Sequence, residues 1–317
     1  GKFIFLHGQM IFQMTKETCK GTVSVVMCTY NGERYLREQL DSILAQTYPI
    51  HEIIIQDDGS TDRTLDIADG YAAKYSNVRV IRNDHNLGFN ENFKDVAMKA
   101  TGDYVAISDQ DDVWYHDKIE KLVDAIGTHD MSFCCHDRGL TPDKTVFVSP
   151  QYSQEALPFI GFAGHTMLLK RAFMQDKRNW IDYIYYDWGL AINAQLHGGI
   201  VRVDEALNFH RTHDDSAFAQ EVSSHGVNRT PTAAIAPYLH GVCNYRRLQR
   251  KPNWNRLYTY IYEHSNTQRL RLIHTISGLM LSRNPFALLR LCLICLRHRH
   301  TIYFNEGAHG LMGLVRG

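Results

Sequence analysis

The chain has 317 residues and a formal net charge of zero, enough length for one large domain, or a domain with an appendage, around a substantial core. The zero hides a division. From Tyr238 onward twelve Lys or Arg face two acids, Glu263 and Glu306, leaving 22 basic and 32 acidic residues before that point, so the two parts have different partners. Seven scattered cysteines, with a vicinal Cys134-Cys135 pair and a lone, apolar Cys292-Leu-Ile-Cys295, speak against a disulfide framework and against a zinc or redox site. They point to a reducing, cytosolic compartment.

Phe3 to Phe12 is apolar but has neither the basic region nor the clean cleavage site of a signal peptide. It precedes Met14-Thr-Lys-Glu-Thr, which reads like a natural start. Residues 1–21 are therefore expected to be an extension outside the fold. Val23-Ser-Val-Val-Met-Cys-Thr29 predicts a strand ending at the turn signal Tyr30-Asn31-Gly32, and Leu36, Leu40, Ile43 and Leu44 follow at helical spacing. Glu52 to Gln56 predicts a second strand, closed by Asp57-Asp58-Gly59-Ser60, and Leu65, Ala68 and Ala72 line the next helix. A third strand at Val78 to Ile81 and a third helix over Phe89 to Ala97 precede a fourth strand at Tyr104 to Ile107.

Short connections between alternating strands and helices are the pattern of a parallel sheet covered on both faces. In such sheets ligands bind beyond the carboxyl ends of the strands. Thr29-Tyr30-Asn31, Asp57-Asp58 and Asp109 to Asp112 all fall there, so three loops face one crevice. Asp109, Asp111 and Asp112 repel one another unless a cation or a shared proton lies among them; the plainer reading is an acidic turn capping a helix that starts near His116. No GxGxxG or GxxxxGK is present. Without such a cradle a diphosphate can still be held through a divalent cation on carboxylates, the role expected of this cluster.

Val25-Val-Met-Cys-Thr-Tyr-Asn31, Asp57-Asp-Gly-Ser-Thr-Asp62, Asn86-Leu-Gly88 and Ser108-Asp-Gln-Asp-Asp-Val-Trp114, in this order, resemble the inverting family 2 glycosyltransferases. The nearest resemblance is to bacterial enzymes of O-antigen, capsule and other surface polysaccharides, rhamnosyltransferases included. It covers about residues 22–215. It implies an α/β, GT-A fold with a mostly parallel central sheet, helices on both faces and a helical C-terminal appendage. The implied boundaries are a catalytic domain at 22–216, with a nucleotide-sugar half to about 115 and an acceptor half from 116, followed by a basic helical region at 217–317.

Residue by residue, the resemblance implies that Thr29, Tyr30 and Asn31 line the nucleotide base and that Asp58 accepts a hydrogen bond from the base ring N–H. Asp109 lies toward the ribose and Asp111 binds Mg²⁺ or Mn²⁺ on the diphosphate, with Asp112 and Trp114 as supporting or packing residues. Gly164, His165 and Trp188 belong to the acceptor side. Asp187, at the start of a helical pattern, is the general base, the alternative being a helix cap. His213 completes the metal site, with His210 the next candidate, and Arg211 faces the diphosphate. The segment departs from the family pattern at Asp214, Asp215 and Ser216.

The expected function is metal-dependent, inverting transfer of a sugar, from dTDP-rhamnose or a UDP-hexose, to a hydroxyl of a glycan or lipid-linked oligosaccharide. A non-catalytic nucleotide-sugar-binding module is one alternative. A sugar-nucleotide pyrophosphorylase is another, but it needs a glycine- and arginine-rich loop where Tyr30-Asn31-Gly32 stands. Beyond Tyr258, Ile261, Ile273 and Ile276, the run Phe286 to Leu296 is too short to span a bilayer. A basic, amphipathic helical pair suits an anionic membrane surface on the cytoplasmic side, and equally suits packing on the catalytic domain or in a homodimer. No interleaved aromatic and basic platform points to nucleic acid.

Overall fold

The computed structural model describes residues 2–6, 9–13, 20–159, 161–212 and 250–298. Its N-terminal strands β1 (Lys2–Leu6) and β2 (Gln9–Gln13) pair only with each other, as an antiparallel hairpin. The remaining strands form one nine-stranded sheet. The four predicted strands are β3 (Val23–Thr29), β4 (Ile50–Asp57), β5 (Val78–Arg82) and β6 (Tyr104–Ser108). They lie in the order β5-β4-β3-β6, all parallel.

Alternate residues of these strands enter two cores, because successive side chains of a strand point to opposite faces. Val26, Ile54, Val105 and Ile107 pack on one side with α3 (Phe89–Ala97) and α6 (Tyr186–Leu196). Val25, Met27, Ile53, Ile55 and Ala106 pack on the other with α1 (Leu36–Leu44), α2 (Thr64–Lys74) and α4 (Lys118–Ile126). Burial on both faces explains why these strands read as continuous apolar runs.

The other half of the sheet is mixed. The short β7 (Val113–Trp114) pairs antiparallel with the long β11 (Ile200–Arg211), and β8 (Met131–Thr141) lies parallel to β11. Strand β9 (Lys144–Val148) folds back on β8, and β10 (Met167–Lys170) is antiparallel to both β6 and β8, joining the halves. No strand was legible at β8: it spends interior positions on Ser132, Cys134, Cys135 and His136, all buried, so it lacks an aliphatic pattern. One turn of helix, α5 (Arg171–Met174), follows β10.

Among the described residues the C-terminal region holds three helices where a pair was expected: α7 (Pro252–His264), α8 (Arg271–Leu281) and α9 (Pro285–Arg297). Leu257, Ile261, Leu270 and Ile273 join the apolar cluster that contains Leu157 and Trp188. The first two of these helices therefore pack against α6 and the segment around Leu157. Residues 217–249 of the expected C-terminal region lie outside the described residues.

Candidate functional site

The three polar loops meet at the carboxyl edge of β3, β4 and β6. Asp57, buried at the end of β4, accepts the Thr29 hydroxyl at 2.9 Å and the Gly59 and Ser60 amides at 3.1 and 2.9 Å. It clamps the turn. Asp58 accepts the Asn83 side-chain amide and the Leu87 N–H on one oxygen, both at 2.7 Å, and the Gly88 N–H on the other at 2.9 Å. This carboxylate pins the 83–88 loop and keeps about one of its four acceptor sites open. Tyr30 is 51% exposed over the crevice, its backbone tied to the Gln110 side chain through both N–H and C=O. Asn31 has φ +49°, a conformation asparagine tolerates, and its side chain accepts the Thr61 N–H at 2.9 Å.

Beyond β6, four side chains converge: Asp109, Asp112, His165 and His210 offer ligand atoms all within 4.8 Å of one another. The β7–β11 ladder pairs Val113 with Phe209, which brings Asp112 beside His210. His210 Nδ1 lies 3.1 Å from Asp112 Oδ1, and the Arg211 N–H donates to the same oxygen at 3.1 Å. His165 Nδ1 is 3.4 Å from Asp112 Oδ2 and 2.9 Å from the Asn208 side-chain amide. The His165 and His210 rings stack at 4.5 Å, with His136 edge-on to both. A buried amine supports the group: Lys118 Nζ donates to the His165 carbonyl at 2.6 Å and sits 4.0 Å from the centre of the Trp114 ring.

Burial and the charges of Asp112 and Asp111 push the Asp109 carboxyl well above its ordinary range. Burial opposes a charge on His210, but its hydrogen bond to Asp112 and the neighbouring carboxylates outweigh that and raise it. Burial, then the charges of His210 and its other neighbours, hold His165 well below the usual histidine value and His136 at about 3. Burial brings Lys118 down to about 8. Two imidazoles, of which His165 is kept neutral, beside two mutually repelling carboxylates form a donor set that fits a divalent cation such as Mn²⁺, whose charge would relieve the repulsion. His136 Nδ1 is buried beside this set without a hydrogen-bond partner among the described residues.

The 3₁₀ turn Gly164–Thr166 carries His165 into this cluster and meets the start of α6. There Asp187 Oδ2 accepts the Gly164 N–H at 3.2 Å while Oδ1 accepts the Trp188 N–H at 2.7 Å. Burial raises the Asp187 carboxyl to about 7, against the pull of those amides. Its charge is also felt by Asp109. A Cβ on Gly164 would stand 2.4 Å from the Tyr186 hydroxyl and 3.4 Å from Asp187 Cβ, so only glycine lets the turn approach this closely.

Of the metal ligands expected from sequence, Asp109 is in the cluster, Asp111 lies on the same loop but outside it, and His213 lies outside the described residues. Asp112, His165 and His210 make up the rest of the cluster. Arg211 is buried: its guanidinium pairs with Glu38 at 2.7 Å, bonds the Asp111 carbonyl at 3.0 Å and lies over Tyr35. Contact with a diphosphate would require that pair to open. Trp188 is buried too, its indole N–H donating to the Leu157 carbonyl at 2.7 Å and its ring edge-on to Trp254.

Lys118, His136 and Asn208 had no place in the sequence reading. One signal was available for Asn208: with His210 it keeps the two-residue period of a strand, which puts both on the face turned to Asp112.

A mixed α/β sheet with a cation-competent carboxylate cluster and a separate carboxylate of raised pKa at its carboxyl edge has the features of an enzyme active site. The profile of glycosyl transferase family 2 matches residues 24–190. The chain belongs to that family and is a glycosyltransferase. An uncharacterized protein of Mycobacterium tuberculosis is 31% identical over 246 residues, 69% of each chain. The dTDP-rhamnosyl transferase RfbG of Shigella flexneri is 42% identical over 106 residues, 32% of this chain and 36% of that one. Among solved structures, S. aureus TarS 1-349 in complex with UDP-GlcNAc superposes with a TM-score of 0.56 at 16% identity, over 89% of this chain and 82% of that one. The fold is GT-A.

Proposed function

We propose that the chain is a metal-dependent, inverting hexosyltransferase of surface polysaccharide biosynthesis. It moves a sugar from dTDP-rhamnose or a UDP-hexose to a hydroxyl of a glycan or lipid-linked oligosaccharide, working at the cytoplasmic face of the membrane. The observation that carries this reading is the Gly164–Thr166 turn. It joins the Asp187 carboxylate, at about 7, to the acid and histidine cluster, the proximity that a proton acceptor facing a diphosphate site requires. The names of RfbG and of the TarS complex support a pyrimidine donor, since dTDP and UDP share the ring N–H that Asp58 would receive.

Asp109, Asp112, His165 and His210 would hold the cation, with Asp111 on the same loop. When bound, it would offset the charge that develops on the departing nucleoside diphosphate. Thr29, Tyr30 and Asn31 border the base. The acceptor oxygen forms its bond to the anomeric carbon from the face opposite the diphosphate, whose oxygen keeps the electrons of the breaking bond. Asp187 takes the hydroxyl proton as that bond forms, and a carboxylate near 7 is matched to the task at neutral pH. An α-linked donor then gives a β product, and a β-L-rhamnosyl donor an α-L-rhamnoside.

The test is donor binding and hydrolysis across UDP-, dTDP- and GDP-sugars, with Mn²⁺ or Mg²⁺ and again with EDTA. One donor standing out, only with metal, supports the reading. Binding without hydrolysis or transfer would favour the non-catalytic binding module, and absence of binding under both conditions would overturn both readings.

A further inference from the structure

Helix α9 has two unlike faces. Leu291 and Cys295 are buried against Ile276 and Met280 of α8, whereas Phe286, Leu289 and Leu293 are 77%, 59% and 58% exposed. With the exposed Arg290 and Arg297 they recur every three or four residues and form one outward stripe. Arg283, just before the helix, is exposed as well. Between residues 250 and 298 eight Lys or Arg accompany a single acid, Glu263.

An apolar stripe of this kind marks a contact surface. A second copy of the chain and a lipid surface would both cover the apolar side chains, and the charges separate them. A twofold contact along the stripe would gather the arginines of both copies in one seam with no acid on either helix to relieve them. An anionic bilayer takes leucine and phenylalanine at its acyl boundary and arginine at its phosphates. Thirteen residues are too few to cross, and among the described residues no helix is long and apolar enough to do so.

We propose that the outer face of α9, formed by Phe286, Leu289, Leu293, Arg290 and Arg297, is a docking surface for an anionic lipid bilayer. It rests on the function proposed above for its purpose, bringing the site to a membrane-borne acceptor. Its evidence is separate. Three apolar side chains hold a bilayer only reversibly, so the arginines supply much of the attachment and the binding weakens with salt.

The full chain is tested by flotation, without donor or acceptor, on phosphatidylcholine vesicles and on vesicles of about one-third phosphatidylglycerol. Binding is expected on the anionic vesicles and lost at high salt. Arg290→Gln with Arg297→Gln should weaken it about fivefold per arginine, and Phe286→Ser, Leu289→Ser, Leu293→Ser together should abolish it. All five positions are exposed, and retention of the fold is checked by thermal melting. Equal binding to both vesicle types, or wild-type binding by the triple variant, overturns the proposal. So does a dimer in sedimentation velocity that the triple variant dissolves, without vesicle binding, which assigns the face to a second copy. Metal-dependent donor hydrolysis is followed in parallel. If it fails in the wild type while vesicles still bind, the catalytic reading falls and the docking surface stands.

Discussion

Replacing Asp187 by Asn separates what the carboxylate does for the reaction from what it costs the fold. The variant keeps one oxygen for the Trp188 N–H, bonded at 2.7 Å, and turns an amide toward the Gly164 N–H, where the oxygen accepted at 3.2 Å. That lost bond costs about 1 kcal/mol. Against it stands the burial of a charge. The gap between the ordinary 3.8 and about 7 is worth about 4 kcal/mol as an upper bound. Solvent reaching the half-buried group lowers this to about 2–3 kcal/mol.

The sign follows from the raised value. Between about 4 and 7 the folded state holds the extra proton, so this group's contribution to stability is fully present at pH 4 and lost as pH rises through 7. Asp187→Asn should therefore melt about 2–6 °C higher than the wild type at pH 8 and no higher at pH 4. In the same protein transfer should fall about 10²–10⁴-fold with donor affinity retained. The wild-type rate should rise about tenfold from pH 6 to pH 8, and that limb should vanish in the variant. Differential scanning calorimetry and product formation at matched pH check the two halves. Wild-type turnover would remove Asp187 from the chemistry, and equal melting shifts at pH 4 and pH 8 would refute the buried-charge argument.

The remaining expectations concern the surroundings of that carboxylate. EDTA should abolish donor hydrolysis and Mn²⁺ restore it. Asp109→Asn should weaken Mn²⁺ binding at least tenfold in calorimetric titration, and an unaltered titration would remove Asp109 from the metal site. Lys118→Met should destabilise the chain by about 2–3 kcal/mol in urea unfolding, through loss of a charged hydrogen bond to the His165 carbonyl at 2.6 Å. Gly164→Ala forces a Cβ to 2.4 Å from the Tyr186 hydroxyl and should cost about 100-fold in kcat by displacing Asp187; a near-normal kcat would show that the turn can shift without moving the carboxylate.

The amino-acid sequence by itself determined the parallel, N-terminal half of the nine-stranded sheet. Residues Val23 to Thr29, Glu52 to Gln56 and Tyr104 to Ile107 are buried on both faces, so their apolar runs are unbroken, and the polar residues after each run had to fall along one edge of a parallel sheet. The position of Asp58 at that edge was legible for the same reason. Local pattern also set Asp187 at the first turn of a helix.

Tertiary structure alone decided the rest. Which carboxylate of Asp109, Asp111 and Asp112 meets histidine depends on the pairing of Val113 with Phe209, across nearly a hundred residues, and a one-residue slip of that register would turn other side chains inward. The values of Asp187, Asp109 and His165 depend on burial by segments distant in sequence. Trp188 and Arg211 have the composition of ligand-facing residues, yet Leu157, Trp254 and Glu38 claim them. Lys118 looked like one more helix charge until Trp114, Asn208 and His165 closed around it. Periodicity reports which face a residue is on, whereas electrostatic character is fixed by what three-dimensional packing places opposite it.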